Sequence, residues 1–413
     1  MDPREPLSSQ GGSAQRWTTL LVLYGITSVV ETFGVSQIFA FMPLYLRRLG
    51  TRPEDVAHWV GLLASLTFVL GLPLVPLWGV WADKHSRKAV IIRSALVESL
   101  VLGLVAASRA PWQFAITMLL IGFQLGNTGV MLAGLRDVTP PGRLGTAMAV
   151  MSASGPLGLA LGPLVGGWLL QGVGLSMRAM FGLDAVLSFG TAVMLGIGAR
   201  EIRPAVVPRG RTRDLAFGAV RGVLTDAAVR RLFLIYGTVF MARQLVNPFL
   251  PILVERVHGS AGVEGAIGLV VGTAALVGAA ASPAAGPIGD RVGFRPVLVV
   301  TLVVGAAAVM LMPVAPGTGV LAGLAAVYAA VFAVTAAMVF ALLSIEVAPE
   351  RRSATLNLVY VPLYVSGIVG PAIGAGLVTL GLAAPFLAAG GVLASGAGGV
   401  LAGARRRAEH PAS

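Results

Sequence analysis

The chain has 413 residues, of which 56% are hydrophobic and only 12% charged, with a formal net charge of +12. Soluble domains carry about 25% charged residues, so this composition, with a mean hydropathy of +0.85, excludes a soluble enzyme, a disordered tail and a nucleic-acid-binding protein. It leaves enough apolar sequence for about twelve membrane crossings at about 20 residues each.

In chain order, the start is polar and of mixed charge, and it has neither the basic start nor the short apolar core of a cleavable signal peptide. Uncharged runs at 56–82, 110–135 and 265–289 predict one span each, and 144–177 predicts one plus a loop. Runs 296–345 and 353–404 are too long for one span. Each must turn once, at Pro313–Gly319 and at Gly381–Pro385. Four more spans carry isolated charges: 17–46 with Glu31, 89–108 with Arg93 and Glu98, 179–199 with Asp184, and 232–254 with Arg243. The sum is twelve. In lipid an open chain must satisfy its backbone polar groups internally, so the spans are helices; the alternation of a barrel is absent.

The basic residues fix an orientation. Sorted into alternating loops, 23 fall on the side of both termini and six on the other, with Arg243 inside a span. The positive-inside rule then places both termini in the cytoplasm of a multi-pass protein of the cell (inner) membrane. Segment 200–231, with eight Arg and three acids, is the one long polar stretch. It reads as a solvated tether near anionic lipid, or alternatively as a regulatory partner site. The expected organisation is an N-terminal six-helix bundle at 1–199, a basic linker at 200–230 and a C-terminal bundle at 231–413.

The halves repeat at an offset of about 207. Phe41-Met-Pro43-Leu-Tyr-Leu matches Phe249-Leu-Pro251-Ile-Leu-Val. Gly79-Val-Trp-Ala-Asp83-Lys84-His-Ser86-Arg87-Lys88 matches Gly286-Pro-Ile-Gly-Asp290-Arg291-Val-Gly293-Phe-Arg295. Gly162-Pro163-Leu-Val-Gly166-Gly167 matches Gly370-Pro371-Ala-Ile-Gly374-Ala. Parallel six-helix halves around a midplane site are a transporter architecture. Over nearly its whole length the chain resembles the major facilitator superfamily. The 79–88 segment resembles the superfamily's G-x-x-x-D-[RK]-x-G-R-[RK] signature, with Ser86 replacing the second Gly. Gly158 through Gly167 resembles the G-x-x-x-G-P-x-x-G-G motif of twelve-helix drug:proton antiporters. The resemblance implies an all-α membrane protein with twelve transmembrane helices in two pseudo-symmetric six-helix bundles. In place of the buried arginine that the family usually carries on its fourth helix, four residues before a Gly, this chain has Met118 before Gly122.

Each motif has a physical use. Asp83 can sit against the positive N-terminus of a helix from the other half, while Arg87 pairs with Asp137, latching the cytoplasmic side; Gly79, Lys84 and Lys88 complete that gate. Gly286, Asp290, Arg291 and Arg295 make a weaker copy. A plain surface ion-pair cluster is the other reading. Gly158, Gly162 and Gly166 bare one helix face for a close neighbour, and Pro163 bends the helix.

Charges within spans should face protein or water. Glu31, Glu98, Asp184 and Arg243 are the proton-coupling candidates. Glu31 and Arg243 fall about a turn apart in level and can face each other across a central cavity, as a titrating pair or as a permanent ion pair. Asp184 falls near the outer end of its span, within reach of water. Gln37, Gln124, Asn127, Gln244, Asn247, Tyr328, Asn357, Tyr360 and Tyr364 are candidates for the substrate cavity, with ordinary helix packing as the alternative for each. With few charges, such a cavity suits an amphipathic or cationic organic compound. The expected function is secondary active export of such compounds in exchange for protons, by a monomer with no cofactor, no metal and no enzymatic step. Export of a lipid or metabolite, or a non-transporting membrane sensor, are the alternatives.

Overall fold

The computed structural model describes residues 17–204, 207, 209–217, 227–346 and 360–409. Twelve of its helices are long and apolar enough to cross a membrane. They are α1 (Trp17–Arg48), α2 (Pro53–Lys84), α3 (Arg87–Ala107), α4 (Pro111–Val138), α5 (Pro141–Gln171) and α6 (Met177–Gly198), then α7 (Phe233–His258), α8 (Val263–Val292), α9 (Phe294–Val314), α10 (Thr318–Val339), α11 (Val361–Leu380) and α12 (Ala384–Leu401). The two long apolar runs divide where their breakers stand. The first does so in the turn Met312–Val314, before α10. The second does so at Gly381, whose φ of +122° only glycine adopts without strain.

α1 through α6 form one bundle and α7 through α12 the other. Within the first, α1 packs along α5 and α3 along α6; within the second, α9 and α8 pack on α10, and α7 on α11 and α12. The bundles join along two seams, α5 with α8 and α2 with α11. Residues 200–204 leave from what we term the linker face; the α1–α2 and α7–α8 turns lie on the far face.

Four of these helices are interrupted within their spans, α7 by a turn at 247–249. α2 turns at Leu70 ahead of Pro73 and Pro76, and α8 passes through a 3₁₀ turn at Ser282–Ala284. Proline removes the ladder N–H and clashes with the preceding turn. α4 runs from Pro111 to Leu120, passes through a 3₁₀ turn, and restarts at Asn127. The restart is set by Gly126, with φ +100°. The α2 and α4 breaks touch: a Cβ on Gly122 would lie 2.6 Å from Leu70 Cβ, and one on Gly71 would lie 2.5 Å from Leu125.

Candidate functional site

The interrupted α4 gathers polar groups inside the first bundle. A broken helix leaves carbonyls without a ladder partner at the end of its first half and N–H groups at the start of its second. Here α3 supplies the donors. Arg93 Nη2 donates to the carbonyls of Gln124 and Leu125 at 3.3 and 3.2 Å, and the Ser94 hydroxyl donates to the Gln124 carbonyl. The Arg93 guanidinium also lies over the Trp78 ring, 3.9 Å from its centroid. At the restart, Asn127 Nδ2 donates to both carboxylate oxygens of Glu31, at 2.7 Å each. Glu31 is buried in α1 and has Arg93 as its cationic neighbour. The acid thus faces the N-terminal end of a half-helix, where an anion is favoured.

Glu98 and Asp184 lie one layer away, on α3 and α6, at 1% and 2% exposure. Both point toward α1 at Gly34, where a Cβ would lie 3.4 Å from Glu98 Oε1 and 3.7 Å from Asp184 Cβ. Ser188 and Gln124 stand beside the Glu98 carboxyl, yet neither of its oxygens is hydrogen-bonded. The expectation that Asp184 reaches water is corrected: the side chain is enclosed.

Arg243 belongs elsewhere. Its guanidinium sits over Phe332, 4.3 Å from the ring centroid, with Tyr328 and Tyr236 as neighbours in the second bundle. The expected facing of Glu31 and Arg243 is therefore corrected: among the described residues no ion pair joins them, and each has partners in its own bundle. The repeat offset sets a residue's level along a helix but not its direction around the axis.

At the linker face, Arg87 is 3% exposed and clasps two acids. It bonds Asp83 at 2.9 Å and Asp137 at 2.7 Å. All three belong to the first bundle, so Asp83 meets Arg87 rather than a helix of the other half. Glu201, just past α6, accepts hydrogen bonds from the Ser86 hydroxyl and from the Arg87 backbone N–H, the latter at 2.8 Å. It seats a carboxylate on the N-terminus of α3. Lys84 donates to the Gly210 carbonyl and Lys88 to that of Gly196, so the gate segment is tied to the linker and to the end of α6. Gly79 keeps open space around it. In the second bundle Gly286, Asp290 and Arg291 are exposed at the end of α8, and Arg295 is half-buried at the start of α9.

At the far face the bundles are clasped. Arg47 at the end of α1 makes a two-point salt bridge with Glu255 at the end of α7, and Arg48 reaches Glu264 at the start of α8 at 3.4 Å. Beneath them the α5 glycines face two ways. Gly158 and Gly162 press on α1, where added Cβ atoms would fall 2.2 and 2.5 Å from the carbonyls of Val29 and Phe33; Gly166 presses on Phe41. Gly167 meets Gly268 of α8, whose Cβ would lie 2.4 Å from the Pro163 carbonyl. On the other seam, a Cβ on Gly61 of α2 would lie 2.6 Å from the Pro371 carbonyl of α11. These inter-bundle crossings fall on the far half, while Ala285–Val292 of α8 packs on α9 and α10 of its own bundle.

The helix order and the two-bundle pairing invite comparison with known chains. A family model described as the Major Facilitator Superfamily matches residues 17–230 and 232–413. The chain belongs to the major facilitator superfamily. A multidrug resistance protein MdtG of Rahnella sp. (strain Y9602) is 31% identical over 305 residues, 72% of each chain. One of Yersinia enterocolitica is 30% identical over 293 residues, 69% of each. Among solved structures, that of a mutant form of the nucleoside transporter NupG aligns with a TM-score of 0.76 at 16% identity, covering 93% of this chain and 99% of that one. A bacterial homologue of the human lysosomal transporter Spinster, in an inward-facing and occupied conformation, aligns at 0.74 and 18%, covering 96% and 98%. These structures share the fold.

In this superfamily member the residues expected around one cavity separate into groups. Asn127 and Gln124 are buried with the α1–α3 acids, and Gln37 is fully buried against Gly166. Tyr328 is buried beside Arg243, and Gln244 packs on Gly370 of α11. Tyr364 crosses the seam to Phe68, with ring centroids 5.8 Å apart. Asn247 is exposed in the turn within α7. Asn357 and the side chain of Tyr360 lie outside the described residues. Met118 is fully buried in the apolar core. Sequence reasoning does not single out the roles of Arg93, Ser94, Glu201, Glu255 and Glu264. A Gly-Asn pair at 126–127 is the available signal for the α4 break.

Proposed function

We propose that this membrane protein exports small lipophilic or cationic organic compounds in exchange for protons, by alternating access, with both termini in the cytoplasm. The likeness to multidrug resistance proteins over most of the chain supports the substrate class. One observation carries the coupling: the buried Glu31 carboxylate is held by Asn127 at the interrupted α4. Discontinuous helices near mid-membrane are where transporters bind substrate and coupling ions.

The contacts around that acid reach the moving parts. Asn127 follows the α4 break, Gly122 and Leu125 of that break press on Leu70 and Gly71 of α2, and Gly71 abuts Tyr364 of α11 across the seam. Protonation of Glu31 removes the charge that Asn127 and the half-helix stabilise, and so alters the packing of α4 on α2. Arg93 brings a guanidinium to α4, whose own position 118 is methionine. The Arg47–Glu255 bridge supports reading the described state as one closed on the far face, which the basic-residue bias assigns to the outside.

The test is a panel of cationic dyes and neutral lipophilic compounds in inside-out vesicles, with and without an imposed pH gradient. Accumulation of the dyes only with the gradient supports the reading. Accumulation without it, or only with a sodium gradient, contradicts proton exchange.

A further inference from the structure

Proton exchange as proposed above needs only Glu31, but the same bundle encloses two more acids. We propose that Glu98 and Asp184 together hold a second proton, at a site separate from Glu31 and enclosed by α3, α6 and α1. The inference rests on the proton-coupled reading and extends it to a pair of linked carboxyl sites.

Hydrogen-bond complementarity carries the argument. Glu98 Oε1, Glu98 Oε2 and Asp184 Oδ2 are buried acceptors without a partner, and so is Gln124 Oε1 beside Glu98. The Ser188 hydroxyl is a buried, unpartnered donor next to the same carboxyl. Two ionised carboxylates and an amide oxygen give this pocket a surplus of acceptors. They also place two like charges in close proximity, which favours retention of one proton by such a pair. One proton on Glu98 supplies the missing donor for Gln124 Oε1 or for Asp184, and Ser188 donates to an oxygen left over.

Among the described residues no cation stands against Glu98 itself. The charged group facing the pair is Glu31 from α1, and the cation Arg93 of α3 neighbours Glu31 rather than the pair. Arg93 lies over Trp78 and bonds the Gln124 and Leu125 carbonyls through Nη2, while its Nε and Nη1 have no partner, so its charge is available to Glu31. The groove between α3 and α6 is lined by Ser99, Leu100, Gly103, Leu104, Ala185, Val186 and Phe189, and its one hydroxyl, Ser99, is spent on the Ala185 carbonyl at 2.8 Å, so this side is largely apolar. Toward Glu31 the route is short: Gln124, beside Glu98, is three residues before Asn127, which holds Glu31. Gly34 sits against the pair: a Cβ there would crowd Leu102 at 3.0 Å and lie in ordinary contact with Glu98 Oε1 at 3.4 Å.

Infrared difference spectroscopy on the full-length protein in liposomes, stepped from acid to alkaline pH, reads protonated carboxyls directly by their C=O band. Two bands should be lost in the wild type. Glu31→Gln should abolish one and Glu98→Gln the other, while Asp184→Asn and Ser188→Ala should shift the Glu98 band without abolishing it. Thermal melting in detergent checks that each variant folds; should Glu98→Gln fail, the Ser188→Ala shift decides alone. An unchanged second band in Glu98→Gln, or an unmoved one in Ser188→Ala, overturns the site. Loss of the band on sodium addition at constant pH overturns it in favour of a cation site. Two bands as expected, in protein that builds no pH-driven substrate gradient, sustain the second site and refute the antiport reading instead.

Discussion

Arg47 and Glu255, 208 residues apart in sequence, form a two-point salt bridge between the far-face ends of α1 and α7. They occupy nearly equivalent positions in the two halves, so one bond spans the axis relating the bundles. Arg48–Glu264 repeats the contact next to it. Arg47→Ala should therefore favour the state open on the far face. A pair this accessible is worth up to about 1 kcal/mol, a shift of roughly fivefold in the two populations. Paired cysteines across the far-face mouth measure it without background, since the chain has no native Cys. Equal cross-linking in Arg47→Ala and wild type would show that the bridge is decoration.

Arg87 poses a different problem. It is buried and depends on Asp83 and Asp137. Asp137→Ala strands much of that charge, at a cost of about 1.5–3 kcal/mol, and should lower the melting temperature in detergent. Asp83→Asn keeps an acceptor in place and should cost less. Equal melting of both variants and wild type would contradict the clasp.

Gly162 and Gly190 separate packing from propensity. A Cβ at 162 would meet the Phe33 carbonyl and Ser36, while one at 190 would meet nothing within 4 Å. Gly162→Ala should destabilise by about 1–3 kcal/mol, as overpacking does. Gly190→Ala should be neutral or stabilising by up to about 1 kcal/mol through helix propensity. Melting curves check the order; the reverse order would mean that α1 and α5 tolerate separation.

How much of this is legible in the sequence differs by element. The spans are readable because apolar run length is a direct consequence of bilayer thickness, and the Gly381 turn because one residue type can adopt its backbone. The Arg87–Asp137 pair follows from motif spacing carried over by resemblance. The α4 break escapes such a reading, since its stabilisers, Arg93 and Ser94, come from another helix. Glu255 and Glu264 pass as ordinary charges at helix ends, because only the folded chain brings them to Arg47 and Arg48. Glu31 with Arg243 fails for the complementary reason: level is legible, direction around the helix is not.

Topology has its own control pair. Arg209→Cys in the linker should resist an impermeant thiol reagent in intact cells, while Arg109→Cys in the α3–α4 loop should be labelled; both positions are exposed. Labelling of Arg209→Cys with protection of Arg109→Cys would invert the orientation drawn from the basic residues.

The central claim is that Glu31 carries the exchanged proton. A proton moving down 100 mV releases about 2.3 kcal/mol, enough for roughly a 50-fold substrate gradient. The decisive measurement is substrate accumulation by Glu31→Gln protein in inside-out vesicles under an imposed pH gradient, beside gradient-free exchange of labelled for unlabelled substrate. Gln fills the site and can still bond Asn127, so exchange should continue while accumulation falls to the level of empty vesicles. Glu31→Gln vesicles that concentrate substrate as the wild type does would contradict the account.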